Sequence, residues 1–570
     1  MADIRLGRSA ARFSPTQRGE VLARLPREHF DLVVVGGGVT GCGVALDAAS
    51  RGLAVALLER HDWASGTSSR SGKLIHGGLR YLEHGRIGVV REALAERAVL
   101  RRLCPHLIKP MRFMYPLEQR GRERLRIGAA VVLYDTLAGG GALPRHRHLT
   151  RRAALRMAPG LRAESLTGAV TFYDAQCDDA RHTLTLARTA AAYGACVASR
   201  TEVIGYRQQR GRVAGVWVRD VESGAELAVS ARHVVNAGGV WTGQLQRLSG
   251  APEGLRVRAS KGVHIVVPRD RIRADAAFVV RAEREPILFV RPWNDGRFWM
   301  VGTTDTEWRQ DVNRPTVARE DIDYLLRNVN RVLDRPLERT DLVGAFAGLR
   351  PLVARRADRT SRLSRGHALA TPNPGLTTIA GGKYTTYRAM ARDAVDAAAR
   401  DLPGPCPRSG TDAVPLLGAE GYPAVRNARA RLAREAGLEP ARVDHLLGRY
   451  GSLVDEVLAL VRGRTELARP IAGAEHYLRV EAYYAASHEG ALHLDDVLVR
   501  RLRASIETPD GGLRAARDVA ALVGEVLAWD EATVAREQDD YRRAVAAERG
   551  PSEEDGGVPR GASDGVTIPL

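Results

Sequence analysis

One segment constrains the fold more than any other: residues 30–60 read FDLVVVGGGVTGCGVALDAASRGLAVALLER. An apolar run is followed by Gly36, Gly38 and Gly41 at the spacing G-x-G-x-x-G, then by a helix-like stretch, a second apolar run and Glu59. This order predicts a βαβ unit whose glycines allow a tight turn and bring a pyrophosphate close to the free N–H groups of the helix N-terminus. Glu59 is placed to accept hydrogen bonds from an adenosine ribose. The whole segment therefore predicts a dinucleotide site, whereas the glycine pattern alone would also fit a structural loop.

Three glycine-rich segments bear on whether the dinucleotide is NAD or FAD. The run HDWASGTSSRSGKLIHGG (61–78) can follow an extended cofactor with backbone N–H groups and hydroxyls, although alone it would also fit a mobile surface loop. The segments HVVNAGGVWTG (233–243) and GLTTIAGGKYTTYRAM (375–390) each end an apolar strand in Ala-Gly-Gly. Such glycines bring the backbone close to a planar ligand. Together the later segments favour a flavin.

The composition limits which partners and ligands the protein can be expected to have. The net charge of +18 indicates an anionic partner without choosing among nucleic acid, a membrane surface and a substrate, and nothing besides this charge favours nucleic acid. Only four of the 85 basic residues are lysines, and three of these (Lys73, Lys261 and Lys383) lie in glycine-rich segments. They either mark places where a compact ammonium is needed in place of a wide guanidinium or are retained by chance. The five cysteines form no CxxC pair, so no metal site or disulfide framework is expected. No membrane-spanning or signal sequence is recognised, which predicts a cytoplasmic protein.

Six motifs, in this order along the chain, closely resemble the FAD-dependent glycerol-3-phosphate dehydrogenases: VVVGGGVTGCGVALDAASRGL, SGKLIHGGLRYLEHG, SKGVHIVVP, VGTTDTEW, GLRPL and GGKYTTYR. The resemblance covers roughly residues 30–400 and, more loosely, 410–545. It implies a flavoenzyme that oxidises sn-glycerol 3-phosphate to dihydroxyacetone phosphate by hydride transfer from C2 to flavin N5 and passes electrons to a membrane quinone. It also implies peripheral attachment to the inner face of the cytoplasmic membrane.

The resemblance and the glycine motifs together assign the cofactor residues. FAD is expected to be bound without a covalent link, His76 being the nearest candidate for one. The expected cofactor-binding residues are Gly36, Gly38, Gly41, Glu59, Thr67, Ser68, Ser69, Lys73, His76, Gly77, Gly78, Gly238, Gly382 and Thr385.

The substrate residues follow from the same resemblance and from chemistry. His264 is the expected general base for the C2 hydroxyl, although a histidine in an apolar strand is more often a core residue. Arg350 is expected to stabilise negative charge on the oxygen, and Lys383 to lie between flavin and substrate. A phosphate dianion needs fixed cationic and hydroxyl donors, for which the resemblance indicates the residues Arg80, Tyr81 and Arg365.

The predicted fold class is α/β: a Rossmann-like FAD domain, an antiparallel β cap and a helical C-terminal domain. Residues 1–29 are an N-terminal extension, 30–400 the oxidoreductase region with the cap mainly at 261–345, 401–422 a linker, 423–548 the helical domain and 549–570 a disordered tail. The arginine-dense segment 120–162 is either a core helix with solvated flanks or a segment that lies on anionic lipid.

Three questions stay open at this level. A glycerol-3-phosphate oxidase that uses O₂ has the same reductive half-reaction, and oxygen needs no dedicated binding motif. A non-catalytic protein with an FAD fold is disfavoured by the joint presence of His264, Arg350 and Lys383. The oligomeric state is not fixed, a homodimer being one alternative.

Overall fold

The computed structural model describes residues 10–119, 121–139, 143–250, 254–283, 287–354 and 366–549. Its strands, in chain order, are β1 (His29–Val35), β2 (Val55–Leu58), β3 (Leu74–Ile75), β4 (Ile108–Leu117), β5 (Arg147–Thr150), β6 (Gly168–Cys177), β7 (Cys196–Ala198), β8 (Thr201–Gln209), β9 (Arg212–Asp220), β10 (Glu226–Asn236), β11 (Val257–Pro268), β12 (Ala277–Val280), β13 (Leu288–Trp293), β14 (Phe298–Gly302), β15 (Thr306–Trp308), β16 (Gly344–Val353), β17 (His367–Asn373), β18 (Leu376–Gly381), β19 (Pro470–Ile471) and β20 (Ala474–Leu478).

The helices, again in chain order, are α1 (Pro15–Arg24), α2 (Val39–Ser50), α3 (Ile87–Leu103), α4 (Arg122–Leu137), α5 (Arg151–Met157), α6 (Asp179–Ala192), α7 (Thr242–Leu248), α8 (Arg319–Asn330), α9 (Tyr387–Ala398), α10 (Tyr422–Asn427), α11 (Arg429–Ala436), α12 (Pro440–Tyr450), α13 (Val454–Gly463), α14 (Arg479–His488), α15 (Ala504–Glu507), α16 (Leu513–Leu527) and α17 (Glu531–Arg549).

The first sheet has the strand order β17-β18-β10-β1-β2-β7, with β8 and β9 continuing from β10. Strands β18, β10, β1, β2 and β7 are parallel to one another, and β1 pairs with β10 on one side and β2 on the other. Helix α2 packs against α6 and α9 on one face of this sheet. The carboxyl ends of β1, β10 and β18 therefore meet at one edge, where ligands bind in sheets of this type.

The second sheet has ten strands, in the order β15-β11-β14-β13-β12-β4-β6-β3 with β16 on β11 and β5 on β6. Most of its neighbours are antiparallel, β12 and β4 being a parallel pair. The predicted mixed α/β class with an antiparallel cap is confirmed. The cap sheet extends beyond the expected 261–345, because β4, β5 and β6, from residues 108–177, supply three of its ten strands.

From α10 onward the chain is mainly helical, with one short pair of strands (β19 and β20), and the core of this region contains fully buried residues of α12, α13, α14 and α16. The segment expected to be a linker, 401–422, is not an exposed tether: Leu416 packs in the core of the first sheet and Leu417 in that of the helices. The predicted tail, except for its first residue, and residues 1–9 of the predicted extension lie outside the described residues.

Ion pairs join the helical region to the first sheet. A π-helical turn, Asp496–Leu502, carries Arg500 and Arg501, whose guanidinium groups both bind the buried carboxylate of Asp62, Arg501 through two bonds of 2.6 and 2.8 Å. The next cation, Arg503, pairs with Asp178 at the start of α6. All five side chains are largely buried, so the interface is a set of desolvated charge pairs.

Candidate active site

A cavity of about 730 Å³ lies between the two sheets. One end is formed by the turn between β1 and α2, and the other by the cap strands β11, β13 and β16. The cavity thus runs from the predicted dinucleotide turn to the predicted base, His264.

The dinucleotide end has the geometry that the glycine pattern predicts. A Cβ added at Gly41 would lie 1.8 Å from the carbonyl oxygen of Gly36, so only glycine allows this close approach of turn and helix. Glu59 accepts hydrogen bonds from the N–H groups of Gly37 (2.6 Å) and His61 (2.7 Å) while lining the cavity. Burial raises the pKa of Glu59, and the two N–H donors oppose that shift. This cradle fits the adenosine and pyrophosphate of a dinucleotide.

The predicted cofactor residues separate into two layers. Those that line the cavity are Gly36, Gly38, Glu59, Thr67, Ser68, His76, Gly78, Gly238 and Gly382. Those that lie behind its wall are Gly41, Ser69, Lys73, Gly77 and Thr385. Of the second layer, Lys73 donates to the backbone of Ser69, and Thr385 accepts from the N–H of His76.

Lys73 supports the segment 61–78 from behind. Its ammonium donates to Asp179 (2.7 Å) and to the carbonyl oxygen of Ser69 (2.8 Å), and the same Asp179 accepts from the N–H and hydroxyl of Ser71. Burial and the positive charge of Arg503 lower the pKa of Lys73 to about 8, against the attraction of Asp179. Lys73 therefore fixes the wall that faces His264 instead of reaching into the cavity.

Gly77 is held by a second buried group. Its N–H donates to the hydroxyl of Tyr134 (2.8 Å), and that hydroxyl donates to Asp174 (2.7 Å), which also pairs with Arg97. Burial raises the pKa of Asp174, which Arg97 opposes. Because Tyr134 lies on α4, this hydrogen bond connects Gly77 to that helix.

His264 projects from β11 on the face of the cap sheet that lines the cavity. Its ring stacks on Phe346 of β16, with centroids 5.0 Å apart and planes 10° apart. The ring lies across Gly302 of β14, where an added Cβ would be 2.2 Å from the imidazole Cδ2. Burial, followed by the charges of Arg291, Arg350 and Lys73, lowers the pKa of His264 well below its ordinary value. The imidazole is therefore neutral at pH 7 and able to accept a proton.

Arg350 is fixed by groups of the loop that follows β14. Its guanidinium pairs with Asp305 (3.1 Å) and donates to the hydroxyl of Thr303 and the carbonyl oxygen of Thr304, both at 3.0 Å. The side chain lies over Gly262, where an added Cβ would lie 2.4 Å from Nη2. Arg350 is thus held rigidly at the cavity wall, with its side chain 26% exposed.

Lys383 and Tyr81 come together at the cavity: the ammonium lies 4.0 Å from the centre of the phenol ring. The side chain of Arg80 and the whole of Arg365 lie outside the described residues. The structure thus gathers His264, Arg350, Lys383 and Tyr81 on one cavity.

Several site residues escaped the sequence-based assignment. Thr303 and Asp305 stand in the quoted motif VGTTDTEW, yet only their contacts with Arg350 give them a role. Asp179 carries no recognisable motif, because its partners come from segments distant in the chain. Arg291 did carry a signal: it is a charged residue inside the apolar strand segment PILFVRPW.

The cavity also has an apolar extension toward α4. Ile127 of that helix lines it together with the apolar side chains of cap strands β6, β12 and β13, namely Phe172, Val279 and Phe289. The outer side of α4 exposes Leu125 (76%), Val132 (48%) and Leu133 (36%). One helix therefore presents apolar groups both to the cavity and to the solvent. That segment 120–162 lies on anionic lipid stays a prediction.

Comparison with known proteins gives two family matches. Residues 31–388 match the FAD dependent oxidoreductase family, and residues 409–534 match the C-terminal domain of alpha-glycerophosphate oxidase. Glycerol-3-phosphate dehydrogenase 2 of Mycobacterium tuberculosis is 53% identical over 543 residues, covering 95% of this chain and 92% of the relative. The mitochondrial glycerol-3-phosphate dehydrogenase of Bos taurus is 35% identical over 562 residues, covering 94% and 76%.

Among solved structures, the glycerol-3-phosphate dehydrogenase of Bacillus halodurans complexed with FAD is similar to this chain with a TM-score of 0.78 and 29% identity. The match covers 94% of this chain and 98% of that one. The similarity therefore includes both sheets and the helical C-terminal region.

Proposed function

The chain belongs to the FAD-dependent glycerol-3-phosphate dehydrogenases, and we propose that it oxidises sn-glycerol 3-phosphate to dihydroxyacetone phosphate and delivers the electrons to a membrane quinone. FAD is its cofactor. The observation that carries the proposal is the convergence of His264, Arg350, Lys383 and Tyr81 on one cavity that begins at the dinucleotide turn. A base, a fixed guanidinium and an ammonium are what the oxidation of a phosphorylated alcohol needs.

Proton removal is assigned to His264. A neutral imidazole on a stacked, immobile ring can take the C2 hydroxyl proton, and the lowered pKa keeps it neutral below pH 7. Arg350, anchored by Thr303 and Asp305, is positioned to favour negative charge on the same oxygen without reorganising. When bound, FAD supplies the two-electron acceptor for the C2–H bond. The residues that would hold it are the glycine turn, Glu59 and the segment 61–78.

Recognition of the phosphate is assigned to Arg80, Tyr81 and Arg365, with Lys383 nearby. The contact of Lys383 with the Tyr81 ring supports this, because it places an ammonium and a phenol hydroxyl at the same end of the cavity. Glycerol is small and well hydrated, so a dianion held by charge-assisted hydrogen bonds provides most of the binding energy. That energy orients C2 for reaction.

Helix α4 supports two parts of the proposal: that the electron acceptor is a quinone and that the protein contacts a membrane surface. The apolar extension of the cavity reaches this helix, and the outer side of α4 exposes Leu125, Val132 and Leu133 next to basic residues such as Arg122 and Arg126. Exposed apolar side chains next to positive charge suit contact with an anionic lipid surface. None of the helices in the described ranges is long and apolar enough to span a bilayer. The proposal is therefore peripheral attachment to the inner face of the cytoplasmic membrane.

Anaerobic mixing tests the reductive half-reaction. Glycerol 3-phosphate should bleach the flavin absorbance of the holoenzyme, whereas glycerol at the same concentration should bleach it far more slowly. Absence of bleaching by any alcohol would overturn the enzymatic assignment in favour of a non-catalytic FAD protein.

The acceptor and the membrane need separate measurements. Stopped-flow reoxidation of the reduced enzyme should be much faster with a soluble quinone than with air-saturated buffer; the reverse order would assign an oxidase. Co-sedimentation with vesicles of anionic phospholipid should occur at low salt and be reversed by high salt. Failure to bind such vesicles at low salt would remove the membrane proposal.

A further inference from the structure

Arg291 is a buried cation on the wall of the active-site cavity. It lies on β13, opposite Met300 of β14, while His264 lies opposite Gly302 on the other side of β14. Directly opposite residues in antiparallel strands point to the same face, and so do residues two apart along a strand. Arg291 and His264 therefore project from the same face of the cap sheet, and both line the cavity.

The contacts of Arg291 do not neutralise its charge. The guanidinium is 5.7 Å from the centre of the Trp293 ring, and Nη2 lies 2.7 Å from the Met300 sulfur. Nη1 is shielded from solvent and has no hydrogen-bond partner within the part of the chain that the structure describes. The residue is only 1% exposed. The carboxylate that attracts it, Asp179, already binds Lys73 and Arg503.

Other deeply buried cations of the molecule are paired with carboxylates. Lys73 is 2.7 Å from Asp179, Lys261 is 2.5 Å from Asp321, and Arg501 makes two bonds to Asp62. Among the described residues, Arg291 has no such ion pair. A buried charge without a partner destabilises a fold, since its lost hydration is not replaced. The fold therefore gives no reason for a guanidinium at this position, where an apolar side chain would pack beside Met300.

We propose that Arg291 is an electrostatic subsite of the active site, whose positive charge draws the phosphate-bearing substrate into the cavity beside His264. This inference rests on the proposed function, because it takes glycerol 3-phosphate as the anion. The dianion supplies the negative charge that the protein does not, so the cost of burying the guanidinium is offset only when the site is filled. Arg291 is a binding determinant, and no proton is transferred to or from it.

The same charge affects the base. The charged groups that face His264 are Arg291 from β13, Arg350 from β16 and Lys73 from the segment 61–78, and all three lower its pKa. Burial lowers the pKa of Arg291 itself to about 9. Arrival of a dianion would oppose the shift that these three positive charges cause in the pKa of His264, so the imidazole becomes a stronger base when the substrate is bound.

The test compares Arg291→Met with Arg291→Lys in the FAD-loaded enzyme. Met fits beside Met300 and removes the charge, whereas Lys keeps it. We expect Arg291→Met to raise or preserve the melting temperature while weakening binding of dihydroxyacetone phosphate and of inorganic phosphate by about tenfold or more, measured by the change in flavin absorbance. Arg291→Lys should recover most of the affinity. The control is Arg271→Met, which breaks a 2.6 Å pair with Asp341 outside the cavity and should lower the melting temperature without changing the affinity.

Two results would overturn the inference. A lower melting temperature with unchanged affinity in Arg291→Met would make Arg291 a structural residue. A changed flavin reduction potential with unchanged ligand affinity would show that the charge serves the reduced flavin. If the proposed function were wrong, glycerol 3-phosphate would not bleach the flavin of the wild-type enzyme. The phosphate affinities of the variants would still decide whether Arg291 binds anions.

Discussion

Replacing Gly302 by alanine should disable the enzyme without altering any residue that contacts the substrate. The new Cβ would lie 2.2 Å from Cδ2, 2.7 Å from Cγ and 2.8 Å from Nε2 of His264. Carbon atoms in contact lie about 3.5–4.0 Å apart, so the imidazole must move by roughly 1.3 Å or more. Phe346, stacked on the ring at 5.0 Å, limits where it can go.

The magnitude follows from the sensitivity of catalysis to position. A displacement of about 1 Å in a reacting group costs roughly 10²-fold in rate. Gly302→Ala should therefore slow anaerobic flavin reduction at saturating glycerol 3-phosphate by about 10²-fold. Overpacking a core position costs about 1–3 kcal/mol, so the variant should melt earlier but stay folded at the assay temperature. FAD content, read from the absorbance ratio of flavin to protein, should not change.

The matched control is Gly463→Ala at the end of α13, where an added Cβ meets nothing within 4 Å. It should reduce its flavin at the wild-type rate. If Gly302→Ala, with FAD bound, also reacted at the wild-type rate, the position of the His264 ring would be irrelevant to the chemistry, and the base would have to be another group.

Three further predictions concern the base, its partner and the outer face of α4. His264→Ala should slow flavin reduction by ~10²–10⁴-fold. In the wild type, kcat at saturating substrate should not fall as the pH is lowered through about 6.5, because a base must be unprotonated and the lowered pKa of His264 keeps it so. An acidic limb centred near the ordinary histidine value would contradict this assignment. Arg350→Met should lower kcat by roughly 10²–10³-fold with FAD retained, as for the loss of one oxyanion donor; a change in KM alone would restrict Arg350 to binding. The double variant Leu125→Glu and Leu133→Glu should lose vesicle binding at low salt with unchanged flavin reduction, whereas Leu369→Glu, an exposed apolar residue on β17, should bind vesicles as the wild type does.

The sequence predicts local geometry well and distant contacts poorly. The βαβ unit could be identified because its strand, glycines and helix are contiguous, and the structure has β1, α2 and β2 in that order. The extent of the cap could not be predicted, because β4, which pairs with β6, joins the cap by pairing with β12 more than 150 residues further along the chain. No periodicity in 108–177 specifies such a partner.

The same division holds within the site. Glu59 and the cavity-lining glycines follow from one motif, and the structure places them together. Lys73 was expected beside the cofactor, yet the carboxylate that captures it, Asp179, lies 106 residues away. Arg503, which binds the same carboxylate, is still more distant. The spacing of residues along the chain does not predict an ion pair of this kind, so the roles of the charged residues behind the cavity wall can be assigned only from the structure.

The buried ion pairs of Arg500, Arg501 and Arg503 connect the two segments of the chain that match different families. The boundary between them falls at residues 389–408, yet charges from beyond it satisfy Asp62 and Asp178 well before it. Removing the partner of a buried carboxylate costs about 3–5 kcal/mol, which is a large share of the stability of a typical domain. A fragment ending near residue 400 would retain these carboxylates with nothing to pair them. Replacing the C-terminal part by an unrelated module would therefore also require replacing Asp62 and Asp178 in the first part.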